Sequence, residues 1–154
     1  SQLSAQSWER VREAEAMLPA GRVFPTARPF SPDGRPLKTM DESDWTPDIR
    51  RFAKLAQDAA RAAIDRGITV IIADDRSWQH AGAFGPRGDL YINAGRLGRS
   101  WFEGVATESQ LDLLIHEFGH AVEGNHLSDK YHEALTRIGA RLARLAVERP
   151  EVFR

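Results

Sequence analysis

The sequence contains no cysteine. That removes disulfide frameworks and every thiolate metal site, so any metal held here must use His, Asp or Glu. The absence fits a reducing compartment, and a cytoplasmic location is the expectation. Charge of one sign is also missing: 21 Lys+Arg stand against 22 Asp+Glu, a net charge of -1 that gives no overall pull toward nucleic acid or anionic membrane. No apolar run approaches the ~20 residues of a membrane helix. Residues 1–12 carry charge and lack the apolar stretch of a signal peptide. Because the chain begins at Ser1 rather than Met, it reads as one part of a longer protein.

What is present is ordinary for a folded domain. Hydrophobic residues are 42% and charged residues 28% of 154, enough for one real core and too little for two. Residues 4–18 read as a short helix, with Trp8, Val11 and Leu18 at helical spacing. Six of the eight prolines then fall between Pro19 and Pro47, so that stretch is extended or looping, and its Phe24, Phe30 and Trp45 imply that it packs down. This divides the chain into residues 1–46, a helix with a proline-rich extended segment, and residues 47–154, the main domain.

Thr46 and Pro47 open a helix with a capping hydroxyl and a proline at its first position. Ile49, Phe52, Leu55, Ala56, Ala59, Ala63 and Ile64 continue it at spacings of three and four, and Gly67 is the expected stop. Residues 68–73 are a β-branched run that reads as a buried strand. Residues 81–84 and 89–93 read as the arms of a hairpin around Gly85, Pro86, Arg87 and Gly88. Thr107 and Gln110 form a capping box for a helix of about four turns. A last amphipathic helix starts near Ser128 or Asp129 and runs to Arg149, stopped by Pro150, with Tyr131, Leu135, Ile138, Leu142 and Leu145 inward. The class is α+β.

The chemistry lies in the four-turn helix. His116, Glu117, Phe118, Gly119 and His120 spell HExxH. Positions i and i+4 share a helical face about 5–6 Å apart at Cβ, so both imidazoles can reach one Zn2+ ion at ~2.0–2.1 Å. Glu117 projects beside them as general base. Chance would supply this pattern roughly 0.01 times in a chain of this composition. Leu111, Leu114, Ile115, Phe118 and Val122 form an apolar stripe, and the two histidines lie ~140° and ~180° from its centre, so they are expected on the side away from the core. A catalytic zinc needs a third protein ligand. His126 follows Glu123, Gly124 and Asn125, where the chain can turn back; Glu123, Asp129, His132 and Glu133 are its rivals.

At these residues the chain resembles a zincin metallopeptidase. The offset of His126 from His116 matches the metzincin pattern, but Glu123 stands where that pattern has glycine. Met17 and Met40 both lie upstream, so no methionine turn follows the third histidine. The run from His116 to His126, followed by Tyr131, is closer to the intracellular SprT-like and WLM-type zincins, several of which act on proteins attached to DNA. Residues 68–154 also resemble a C-terminal tail of bacterial proteins that begin with an Hsp90-like ATPase, which implies an ATPase region elsewhere as a partner. The resemblance implies a minimal zincin core, with a small, mostly antiparallel sheet packed on the HExxH helix. It also implies an edge strand that binds peptide by strand addition, for which Gly82, Ala83 and Phe84 are the candidates. Tyr131 and His132 are then candidate donors to the oxyanion, although Tyr131 also fits a core position.

Three functions compete. A zinc peptidase acting on a peptide or protein substrate uses every residue named. A zinc-binding regulatory or interaction domain of a larger protein, with little hydrolysis, keeps the same ligands. A nucleic-acid module rests only on Arg137, Arg141 and Arg144, which line one helical face. Asp74 and Asp75 form an acidic pair at a strand end, a pattern that is more often solvated than metal-bound. The glycines between 82 and 104 match no nucleotide-binding motif.

Overall fold

A computed structural model describes residues 34–123 and 128–154. The expected helix at 4–18, most of the proline-rich stretch and His126 lie outside the described residues. Helix α1 (Pro47–Ile64) begins as its sequence dictates, with the Thr46 hydroxyl accepting from Ile49 N. Its buried face is Ile49, Phe52, Leu55 and Ile64 with five alanines between them, small enough for the neighbours to lie close. It stops earlier than Gly67, at Asp65, whose φ of 55° takes the left-handed turn that glycine was expected to supply. A short polar side chain is the non-glycine type best suited to that region.

Strands β1 (Thr69–Ala73), β2 (Gly82–Phe84) and β3 (Asp89–Asn93) make one sheet in the order β1-β3-β2. The β2–β3 hairpin is antiparallel as expected, but the longer ladder, β1 with β3, is parallel. The sheet is therefore mixed. β3 takes the centre because Leu90 and Ile92 must be covered, and both are fully buried there. After β3 come elements that the apolar pattern is too short to reveal: helix α2 (Ala94–Leu97) and a 3-10 turn at Arg99–Phe102.

Helix α3 (Glu108–Val122) carries both bonds of the predicted capping box. Helix α4 (Asp129–Glu148) is capped by Ser128 and ends one residue short of the expected Arg149, which is its C-cap. One face of the sheet packs on α1 and α3 through Phe52, Leu55, Ile72, Leu90, Ile92, Leu114 and Phe118. Each such side chain contributes about 1.5–3 kcal/mol by leaving water. The opposite face carries a smaller cluster of Leu37, Ala73, Trp78 and Ala83. Met40 N donates to Ile72 O at 2.7 Å, and Asp74 N donates to Lys38 O at 2.8 Å. The last part of the proline-rich stretch thus covers the outer edge of β1, leaving β2 as the other edge.

The buried face of α3 only partly coincides with its apolar stripe. Gln110, Leu113, Leu114, Glu117 and Phe118 are buried, Leu111 and Ile115 are only partly covered, and Val122 is exposed. The reason is that α3 is enclosed on several sides, touching α1, α4 and β2. Gln110 is admitted to the interior because its amide donates to Trp101 O and Gly104 O.

Candidate metal centre

At 100° per residue, Glu117, His120 and His116 occupy one continuous arc of roughly 100° on α3. The arc runs from the interior outward. Glu117 is 1% exposed, His120 6% and His116 is half-buried. This corrects the expectation that both histidines face away from the core: His120 is packed against α4, its ring centre 5.0 Å from that of Tyr131.

The imidazole Nε2 atoms of His116 and His120 lie 3.2 Å apart. Two nitrogens held tetrahedrally at ~2.0–2.1 Å from one zinc would be ~3.3–3.4 Å apart, so the pair fits the edge of such a site. A straight N–H···N bond of the observed length would put the ring centres ~5.5 Å apart. They are 4.7 Å apart at an interplanar angle of 70°, so the two nitrogens do not face each other squarely. Imidazole is also the ligand type that zinc commonly takes.

Glu117 supplies a second sign of chemistry. Its Oε2 is buried with no hydrogen-bond partner, a state that native interiors seldom tolerate. Burial pushes its carboxyl up to about 8. Tyr131 is buried at the start of α4, and burial together with the nearby Glu117 pushes its hydroxyl up to about 12. It therefore keeps its proton at neutral pH. Gly119 lets α4 approach: a Cβ there would lie 2.7 Å from Leu135 Cδ2 and 3.0 Å from Tyr131 Cε1. Sequence reasoning passed over this glycine, although a glycine inside a helix costs about 1 kcal/mol against alanine and so signals a packing demand.

The remaining candidates separate. Among the described residues, no three of His, Asp and Glu converge in a way that could hold a metal. Glu123 is half-buried at the end of α3, while Asp129, His132 and Glu133 are exposed on the first turns of α4. The proposed third ligand, His126, lies outside the described residues. His132 stands edge-on to Tyr131, with ring centres 6.0 Å apart.

Gly82, Ala83 and Phe84 do form an edge strand, and it packs on α3: Phe84 meets Phe118 edge-on, and a Cβ at Gly82 would touch Leu113. Asn93 N donates to Ala81 O, and Gly85 N donates to Asp89 O. That register turns the backbone of Ala83 toward β3 and the N–H and C=O groups of Gly82 and Phe84 outward. No described residue pairs with that outer edge.

Two arginines of the stripe have partners, although all three remain exposed. Arg141 donates to Ala63 O at the end of α1, and Arg144 pairs with Glu148 at 2.5 Å. Asp75 is held in a turn: it accepts from Ser77 N, Ser77 Oγ and Lys38 N, and the Ser77 hydroxyl first among these lowers its pKa.

No family model matches this chain, and no curated protein or solved structure matches it either. The resemblance to zincins therefore rests on the sequence motif.

Proposed function

We propose that this chain is a zinc-dependent peptidase, with His116, His120 and His126 as metal ligands and Glu117 as the group that moves the proton. The observation that carries the reading is the 3.2 Å spacing of the two Nε2 atoms on the same helical arc as a buried carboxyl with an unpartnered oxygen. When bound, zinc polarises the scissile carbonyl and lowers the pKa of water toward ~7. Glu117 in its carboxylate form takes a proton from the attacking water and returns it to the leaving amine, and a pKa near neutrality suits both transfers. The outward backbone groups of Gly82 and Phe84 supply hydrogen bonds that hold an extended peptide beside α3. Tyr131, which retains its proton, is the candidate donor to the oxyanion; exposed His132 is the weaker one.

The burial of Glu117 favours a second reading, in which zinc is held but hydrolysis is weak and the domain regulates or recruits, with an ATPase region as partner elsewhere in a longer protein. A net charge of -1 leaves the nucleic-acid reading resting on Arg137, Arg141 and Arg144 alone. No helix among the described residues is long and apolar enough to cross a membrane, and the absence of cysteine supports the cytoplasm as the site of action.

The test is metal content by plasma mass spectrometry on untagged protein purified without chelator, followed by digestion of an unfolded protein. One zinc per chain with cleavage lost in Glu117→Gln supports the peptidase. Zinc without cleavage supports the second reading. Failure to take up zinc after addition and dialysis rejects both.

A further inference from the structure

Tyr131 has a role that neither the core position nor the oxyanion reading captures. Its ring lies on the His120 imidazole at 35° with centres 5.0 Å apart. Tyr131 is 4% exposed and His120 6%, so neither ring has open space to turn into. Three features of the sequence hold this contact in place. Gly119, one residue before His120, leaves the room that Tyr131 Cε1 and Leu135 Cδ2 occupy. Ser128 Oγ accepts from Tyr131 N at 3.1 Å, which fixes the first turn of α4. Leu135 lies one turn further along α4 and packs on the same glycine. A side chain with two rotatable torsions, once trapped between a neighbouring helix and a ring, keeps one rotamer.

We propose that Tyr131 is a positioning residue that clamps the His120 imidazole in its ligating rotamer through ring packing, with Gly119 as the notch that admits it. This deepens the zinc reading and rests on it for its functional meaning, while the clamp is a property of the metal-free protein. Among the described ring pairs Tyr131 meets His120 and His132, so its removal should reach the His120 ring before that of His116. The clamp acts through the ring, whose packing on His120 is the contact it is built from.

The experiment is 13C relaxation of the two histidine rings in metal-free protein, combined with zinc affinity by competition with a chromophoric chelator. Wild type, Tyr131→Phe, Tyr131→Leu and Gly119→Ala are compared, with folding checked by near-ultraviolet circular dichroism. Tyr131→Phe should keep a rigid His120 ring and wild-type affinity. Tyr131→Leu should loosen His120 more than His116 and weaken zinc by about 10–100-fold, the usual range when a group that orients a ligand is lost. Gly119→Ala, which displaces the ring without deleting it, should act in the same direction. Equal loosening of both rings, an unmoved His120, or unfolding of both Tyr131→Leu and Gly119→Ala would overturn the proposal, because packing alone would then explain the contact. Selective loosening of His120 by Tyr131→Leu, in a protein whose wild type takes no zinc, would uphold the clamp and reject the metal reading.

Discussion

Two buried polar side chains, Asn93 at the end of β3 and Glu117 in the middle of α3, are treated in opposite ways. Asn93 is fully buried and completely satisfied. Its amide nitrogen donates to Asp75 O, Trp78 O and His80 O, and its oxygen accepts from Asp75 N and Gly95 N. One side chain thereby ties together the loop at 74–80, and Gly95 must lack a Cβ because one would sit 2.6 Å from Asp75 N. Glu117 is as deeply buried, yet its Oε2 has no partner. A satisfied buried amide is what a structural residue looks like. An unsatisfied buried carboxyl works against folding, so its presence asks for a reason outside stability.

Exchanging the two chemistries is the way to break this comparison. The largest effect is expected from Glu117→Gln: cleavage of an unfolded protein should fall by about 10²–10⁴-fold, the range for losing a general base, with zinc content unchanged. Equal turnover would show that Glu117 does not carry the proton. Next comes the mirror change, Asn93→Asp. It replaces a donor facing three carbonyls by a carboxylate, and should destabilise the fold by roughly 3–5 kcal/mol at neutral pH, read by urea unfolding. The new acid's folded pKa is raised, so the loss should grow as pH rises above ~4 and shrink below it. A pH-independent loss would mean that the site is solvated.

The third effect has the opposite sign. In metal-free protein, Glu117→Gln should stabilise by on the order of 2–3 kcal/mol at pH 7. The wild-type carboxyl is raised from 4.5 to about 8, so the native state binds the extra proton between those values. Wild-type stability from this group is complete below pH 4.5 and is lost as pH rises toward 8. The advantage of the glutamine variant should therefore be absent at pH 4 and widen toward pH 8, measured by unfolding with chelator present. No advantage at pH 8 would mean that the carboxyl is already satisfied.

Much of this was readable from residues whose role is local. Thr46, Thr107 and Ser128 cap their helices as hydroxyls before apolar periods do, and the hairpin and the HExxH helix form where their patterns say. The parallel β1–β3 ladder was not readable, because strand order depends on which strand the whole core needs at its centre. The buried face of α3 departs from the apolar stripe for a related reason. Periodicity assumes one covered face, whereas α3 is covered by β2, α1 and α4, which draws Gln110, Glu117 and His120 inside. The role of Asn93 left no local signal beyond its place before a short helix. At the site, the sequence supplied the identities of His116, Glu117 and His120, and the structure added what identities cannot carry: the 3.2 Å approach, the orphaned oxygen and the ring of Tyr131.

The smallest effect is expected at the entrance to α3. Ala106 has φ 58° just before the capping residue of α3, and Asp65 is the one other non-glycine in that region among the described residues. A left-handed alanine costs roughly 1–2 kcal/mol through its Cβ, while glycine there would lose more chain entropy on folding, a difference of about 0.4–1 kcal/mol. Ala106→Gly should then stabilise by about 0.5–1 kcal/mol in urea unfolding and leave zinc affinity unchanged. Ordinary strain at a helix entrance predicts that pairing of results. If the glycine variant gains stability but binds zinc more weakly, the strained entrance also sets the seating of α3 and joins the orphaned Glu117 oxygen as a departure from stability that serves the metal site.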